Sequence, residues 1–315
     1  MDSNCFVSWH DRLIDACSQA ILGKRQELSL IAACYLCGGH VLLEDVPGTG
    51  KTMLLRAFAR ATGGSFRRIQ FTPDVTPSDI TGINFYNLKQ GEFEFRPGPL
   101  FANMVLADEI NRATPRTQSS LLEAMAEGQI SVDGVTHPLT GTFMVAATQN
   151  PIESYGTFPL PEAQMDRFMM RLSLGYMPRE AEMQVALRRD TADIVGRIEP
   201  CVTEQETLAL RERLDEIELS ETVLDYLMRL IEKTRSDERI RIGASPRGTI
   251  ALCKTARAWA AFHGRCFVLP EDVQFLAPYV LTHRLHYRTS VHSAEASEIF
   301  ASLLAQVSVP TEARG

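Results

Sequence analysis

The segment Gly48-Thr-Gly-Lys-Thr52 is where the chain first shows residue types spaced for chemistry. A short apolar run, Val41 to Glu44, leads into a Pro/Gly turn that includes Pro47, and a helix-forming run from Met53 to Ala61 follows. Strand, glycine-rich turn and helix in that order make a phosphate-binding loop. Backbone N–H groups of such a turn form an anion nest, and the helix N-terminus adds partial positive charge. Lys51 is expected to reach the β- and γ-phosphates of a nucleotide, and the Thr52 hydroxyl to ligate Mg²⁺. The pattern asks for glycine five positions before Gly50, where this chain has Asp45. Aspartate tolerates left-handed backbone better than most residues, so the loop is expected to survive the change.

A second apolar run, Met104 to Ala107, ends in Asp108 and Glu109. Ligands of a parallel sheet bind beyond the carboxyl ends of its strands, so these acids are expected on the same edge as Lys51. Asp108 suits the Mg²⁺ shell, and Glu109 suits polarising an attacking water. A third run, Val145 to Gln149, ends in Asn150-Pro151, and Asn150 is placed to orient the water or touch the γ-phosphate. Arg167, expected on a short helix after that strand, and Arg247, at the start of a later helix, are cations that can stabilise transferring phosphoryl charge. Taken singly, such arginines also serve as surface ion pairs.

The elements that must position these groups alternate. Helical patterning over Phe6 to Leu36 breaks at Ile21-Leu22-Gly23-Lys24. Strands are expected at 41–44, 65–71, 104–107, 142–148 and 169–174, with helices at 53–61 and 115–127, the latter stopped by Gly128. Two hairpins interrupt this order, one over Ile83 to Phe95 and one over Gln129 to Leu139 around Asp133-Gly134. The first is expected to expose Phe85, Tyr86, Phe93 and Phe95. Strand–helix alternation argues for a doubly wound α/β domain. After Pro178 strand signals stop. Val223, Leu224, Leu227, Leu230 and Ile231 share a helix face, Ser245-Pro246 opens a helix to His263, and runs over 271–286 and 293–307 read as helices. The expectation is an α/β nucleotide-binding domain over 1–178 and an all-α domain over 179–315.

The length of 315 residues favours two domains over one. A net charge of −7 does not advertise a nucleic-acid surface, although Arg235, Arg239, Arg241, Arg247, Arg257 and Arg265 make a basic run. No apolar run approaches a membrane span and the first ten residues lack a secretory pattern, so a cytoplasmic protein without a membrane segment is expected. Seven scattered cysteines read as reduced thiols. Cys34 and Cys37 form a CxxC pair, but their apolar helix neighbours point to packing rather than zinc.

Together these segments resemble AAA+ ATPases, and within them the MoxR family of the helix-two-insert clade. The resemblance rests on Gly39-His-Val-Leu-Leu-Glu44 and the phosphate loop, Ala107-Asp-Glu-Ile-Asn-Arg-Ala113, Leu121-Leu-Glu-Ala-Met-Ala-Glu-Gly128, Ala147-Thr-Gln-Asn-Pro151 and Leu160-Pro-Glu-Ala-Gln-Met-Asp-Arg-Phe168. It implies an αβα parallel-sheet P-loop core followed by a small all-α lid. It also implies ATP and Mg²⁺ as cofactors. Pro47, Gly48, Thr49, Gly50, Lys51, Thr52, Met53, Ile21, Gly23 and Arg247 would contact nucleotide, and Thr52 and Asp108 the metal. Lys51, Glu109, Asn150 and Arg167 would act in catalysis: Asn150 matches sensor 1, Arg167 the arginine finger, Arg247 sensor 2. A hexameric ring is implied, because a finger works across a subunit boundary. So is a chaperone-like role on partner proteins, often ones with a von Willebrand factor A domain. The alternatives are the motor subunit of a metal chelatase, a nucleic-acid translocase, or a ring that switches without hydrolysing.

Overall fold

The computed structural model describes residues 4–45, 48–149, 157–187, 194–289 and 291–310. Helices α1 (Asn4–Ser18) and α2 (Arg25–Leu36) precede β1 (Val41–Glu44), α3 (Lys51–Ala61) and β2 (Phe66–Gln70). A short helix, α4 (Pro77–Thr81), leads into the hairpin β3 (Gly82–Asn87) and β4 (Glu92–Pro97). Next come β5 (Met104–Asp108), α5 (Pro115–Glu127), the hairpin β6 (Gln129–Val132) and β7 (Val135–Pro138), and β8 (Met144–Gln149). Beyond residue 157 lie α6 (Glu162–Met165), β9 (Met170–Leu172), α7 (Arg179–Leu187), α8 (Glu204–Glu212), α9 (Glu221–Ser236) and β10 (Ile240–Ile242). The described chain closes with α10 (Pro246–Phe262), α11 (Pro270–Leu281), β11 (His286–Tyr287) and α12 (Ser293–Gln306).

Five strands form one parallel sheet in the order β2-β5-β8-β1-β9. Their residues alternate between two apolar clusters, as side chains on a pleated strand must. Val41, Leu43, Met104, Leu106, Met144 and Ala146 enter one cluster with α1, α2 and α3. Leu42, Val105, Ala107, Val145 and Ala147 enter the other with α4 and α5. Burial on both faces explains why β1, β5 and β8 are continuous apolar runs up to their last residues. The first cluster continues into α9, α10 and α11. Trp9 of α1 stacks on Phe262 of α10 at 5.9 Å and on Tyr35 of α2 at 6.5 Å. Cys34 and Cys37 lie buried in this cluster, and burial pushes the Cys37 thiol up to about 12. Among the described residues, no helix is long and apolar enough to cross a membrane.

The C-terminal third is helical but not purely so. Ile240 and Ile242 pair antiparallel with Tyr287 and His286. The helix expected to reach His286 stops at Leu281, a single 3₁₀ turn follows over Thr282–Arg284, and the chain then extends into β11. Strands of two and three residues are too short to display alternation, so sequence patterning misses them. Arg167 likewise lies in the turn after α6 rather than on it.

The two hairpins join as one unit. Asn84 Nδ2 donates to Asp133 Oδ2 at 2.9 Å, and Phe95 stacks on His137 at 3.9 Å. Asp133 (φ 50°) and Gly134 (φ 82°) both take positive φ, as a type I′ turn requires. Phe85, Tyr86 and Phe93 are exposed, as expected; Phe95 is instead half-buried beneath His137.

Candidate active site

The carboxyl ends of β2, β5, β8 and β1 bring Gln70, Asp108, Gln149 and Glu44 to one edge of the sheet. Asp108 is ion-paired to Arg68, which donates through Nε at 3.0 Å and Nη2 at 2.6 Å to Oδ2. Its Oδ1 accepts from the Thr148 hydroxyl at 2.7 Å. The same hydroxyl accepts the Glu109 backbone N–H at 2.8 Å, so one threonine on β8 ties together the two acidic residues at the end of β5. Glu109 adopts left-handed backbone, φ 57° and ψ 50°, at the turn from strand into a 3₁₀ helix over Ile110–Arg112. That geometry carries strain of order 1–3 kcal/mol in a non-glycine residue. It turns the Glu109 carboxylate sideways, where Oε2 accepts from Gln70 Nε2 and Arg112 Nη1, each at 2.9 Å.

The phosphate loop faces these acids. A cavity of about 410 Å³ is lined by Asp45, Gly48, Thr49, Gly50, Lys51, Thr52 and Met53 on one side, and by Arg68, Gln70, Asp108, Glu109 and Thr148 on the other. Gly48 and Gly50 both sit at φ +85°, a conformation open to glycine, and Gly50 caps α3. Lys51 Nζ donates to the backbone carbonyl of Asp45 at 3.2 Å. The Thr52 hydroxyl and Asp108 carboxylate share the cavity as hard oxygen donors, a set that fits Mg²⁺.

Asp45 itself departs from expectation. Among the described non-glycine residues, only Glu109 and Asp133 have positive φ. Asp45 therefore does not replace glycine by tolerating left-handed backbone. Its buried carboxylate accepts from the Ser173 hydroxyl at 3.0 Å and from the backbone N–H groups of Leu174 and Gly175, the latter at 3.0 Å.

An apolar cavity of about 240 Å³ adjoins the loop and shares Thr49, Gly50 and Met53 with it. Ile21, Leu54, Leu174 and Met177 are among its walls. Gly23 lines a neighbouring cavity with Tyr176 and Pro178 rather than this one. Its φ is +69°, and an added Cβ would lie 3.0 Å from the Pro178 ring.

Arg167 and Arg247 lie elsewhere. Both line a cavity of about 340 Å³ with His40, Asp166, Lys254 and Arg284. His40 immediately precedes β1 and its carbonyl accepts the Met169 N–H at 2.8 Å, which sets this cavity at the amino edge of the sheet. A four-residue strand spans roughly 13 Å, so these arginines and the phosphate loop occupy opposite edges. Arg167 Nη1 donates to the Leu122 carbonyl at 2.6 Å. Asp166 accepts from Ser245, the N-cap of the helix carrying Arg247, at 2.9 Å, and pairs with buried Arg284 at 3.4 Å. Arg284 also donates to the Phe168 carbonyl. Burial pulls the Arg284 guanidinium down to about 10, because Asp166 offsets only part of its desolvation. His40 is held neutral by burial, at about 4, with Nε2 on the Met125 carbonyl (3.0 Å) and Nδ1 accepting from Val145 N (3.0 Å).

Pro47 and Asn150 lie outside the described residues. Arg68, Gln70, Arg112 and Thr148 escaped sequence reasoning, although Gln70 ends β2 and Thr148 stands one residue before the end of the apolar β8. The rule that located the acids applies equally to polar residues at neighbouring strand ends.

Comparison with known proteins gives the setting. Residues 40–170 match the family model for ATPases associated with various cellular activities (AAA), and residues 232–303 match the AAA lid domain. The chain is 44% identical over 303 residues to the uncharacterized protein YeaC of Bacillus subtilis (strain 168), covering 96% of this chain and 95% of that protein. It is 40% identical over 284 residues to the chaperone MoxR1 of Mycobacterium tuberculosis, covering 87% and 75%. A crystal structure from Cytophaga hutchinsonii, designated an ATPase, superposes with a TM-score of 0.89 at 36% identity over 98% of both chains. The chain belongs to the MoxR family of AAA+ ATPases, enzymes that bind and hydrolyse ATP.

Proposed function

We propose that this ATPase works as a hexameric cytoplasmic ring that remodels or activates a partner protein. Each subunit binds Mg²⁺-ATP at its carboxyl edge and receives Arg167 and Arg247 from the amino edge of its neighbour. In this reading residues 1–178 form the nucleotide-binding domain and 179–315 the lid. One observation carries the trans arrangement: Arg167 and Arg247 share a cavity at the edge opposite the phosphate loop, and neither lines the loop's own cavity. Two cations suited to transition-state charge, built together yet away from their own subunit's phosphates, are placed to serve phosphates that a second copy supplies.

Within a site, Lys51 leaves the Asp45 carbonyl for the β/γ-phosphates. Thr52 and Asp108 would hold Mg²⁺, which would supply charge neutralisation to the transferring phosphoryl group. Glu109 takes up the proton of the attacking water, and Asn150 orients that water. Ile21 and Met53 flank the base, and Gly23 shapes the turn behind Ile21. The MoxR1 relative's name supports a chaperone-like role. A partner with a von Willebrand factor A domain follows from the family resemblance.

Complementation tests the ring. Lys51→Ala subunits keep the arginines and lose the pocket, whereas Arg167→Ala subunits keep the pocket and lose the finger. Each preparation alone is expected to be inactive, and mixtures to regain part of the ATPase rate. Mixtures that assemble and stay inactive would show that Arg167 does not serve a neighbour. For the partner role, a Glu109→Gln ring loaded with ATP should retain a protein that the Lys51→Ala ring does not.

A further inference from the structure

We propose that Asp45 is a positioning residue for the base of the nucleotide. Its carboxylate clamps residues 173–175 so that Leu174 and Met177 close the apolar cavity beside the phosphate loop. The inference rests on the reading of that loop as the ATP site.

The connector after β9 is held from two sides. From the loop side, Asp45 Oδ1 accepts from Ser173 Oγ and Gly175 N, and Oδ2 accepts from Leu174 N. From the other side, the buried ammonium of Lys24 donates to the carbonyls of Leu174 and Tyr176, the latter at 3.1 Å, and is balanced by Glu27 at 3.1 Å. The backbone N–H and C=O of Leu174 are thus both tied to buried ionised groups. Gly175 then turns the chain at φ +59°, and Met177 rejoins Leu174 in the cavity wall. Hydrogen bonds to charged groups are roughly twice as strong as neutral ones, so this stretch is braced against the phosphate loop.

The two cavities share Thr49, Gly50 and Met53. A ligand whose phosphates fill one therefore sets its ring against the other, and the ring's fit depends on where Leu174 and Met177 stand. Glycine at position 45 would complete the phosphate-loop pattern. It would also strip acceptors from two backbone N–H groups and one hydroxyl, and buried donors without acceptors do not stay in place. Restoring the consensus glycine is therefore expected to weaken ATP binding.

The test compares two ligands on the full chain in Mg²⁺ buffer by calorimetry: ATP, and inorganic tripolyphosphate, which carries the phosphates without a base. Asp45→Gly is expected to weaken ATP about tenfold or more and to leave tripolyphosphate within about twofold. Asp45→Asn, which keeps the shape but turns an amide N–H toward the donors of residues 173–175, should repeat the selective loss, and this second variant decides the matter if Asp45→Gly fails to fold. Unchanged ATP affinity in the variants overturns the proposal. So does an equal loss for both ligands, since Asp45 would then act on the phosphates rather than on the base. Lys51→Ala separates the underlying reading: it should weaken both ligands, and if it weakens neither, the ATP-site assignment itself falls.

Discussion

At the carboxyl edge of the sheet, the ion-pair partners of Asp108 and Glu109 reach solvent, Arg68 being 49% exposed and Arg112 42%, while buried Thr148 ties the two residues together. At the amino edge, the Arg284 side chain that braces Asp166 and Phe168 is 2% exposed. Exposed ion pairs are typically worth under about 1 kcal/mol and exchange readily. Buried ones cost several times more to break, because the remaining charge is stranded. In the proposed ring the contrast would match two tasks. An edge that receives Mg²⁺-ATP must trade Arg68, Arg112 and the Lys51–Asp45 contact for metal and phosphate. An edge that offers arginines to another molecule must already hold its shape, since positioning is what such a donor contributes. Asp166 links the Arg167 turn to Ser245 at the head of the Arg247 helix, which would serve that end.

Single changes at the two edges should therefore fail differently. Lys51→Ala at the carboxyl edge should abolish ATP binding, and with it all turnover, because the loop loses the cation that meets the β/γ-phosphates. Arg167→Ala should leave ATP affinity within about threefold and reduce turnover by about 10³, the lower end for an arginine finger. Equilibrium titration and steady-state phosphate release on the same preparations give both numbers. A large loss of affinity in Arg167→Ala would place that side chain in its own subunit's pocket and dissolve the distinction between the edges.

Glu109→Gln should fall between binding and chemistry. The amide keeps the shape, and Oε1 can still accept from Gln70, but it cannot take a proton. Turnover should drop by about 10², the lower end for a positioned base, with ATP affinity unchanged. Turnover within threefold of the parent would move the base to another group. The left-handed backbone of Glu109 adds a structural control: Glu109→Gly relieves the strain and should stabilise the fold even as it removes activity.

The carboxyl edge was mostly legible in the sequence because strand ends announce themselves. Val41 to Glu44 and Met104 to Asp108 are apolar runs that stop at charged residues, and the rule for parallel sheets does the rest. Thr148 and Gln70 obey the same rule but look like ordinary strand residues, since nothing local says that a threonine will bridge a neighbouring strand. The amino edge was barely legible. Arg167 and Arg247 stand out only by resemblance, and the groups that seat them, Asp166, Ser245, His283 and Arg284, come from segments between 79 and 118 positions apart or adjoin such segments. Contacts of that range arise from packing the lid helices onto the core, and no periodicity encodes them. Asp45 shows a third way to be missed. Local rules asked whether it tolerated left-handed backbone, while its role depends on residues 173–175.

The smallest expected effect separates the edges by pH. The amino edge buries two neutral histidines, His40 and His283, both pushed below their ordinary value mainly by desolvation. Among the described residues, no histidine lines the phosphate-loop cavity. His40 sits at about 4 when folded against 6.5 for the free side chain. Above pH 6.5 both states are neutral there and nothing is lost. As the pH falls below 6.5 the unfolded chain takes a proton that the folded chain refuses until near 4, so stability declines across that window. At about pH 5.5 the His40 share is roughly 1.4 kcal/mol. Urea titrations at about pH 7.5 and pH 5.5 should show this loss, increased by His283 and by His10, whose shift has the same direction. His40→Asn carries no titrating ring, and its Oδ1 can still accept from Val145 N. It should be less stable at the higher pH, having lost the Met125 bond, yet its drop between the two pH values should be smaller than the parent's by about the same 1.4 kcal/mol. An equal drop in parent and variant would mean that acid acts on other groups first, and that the buried amino edge is no more sensitive to protonation than the open carboxyl edge.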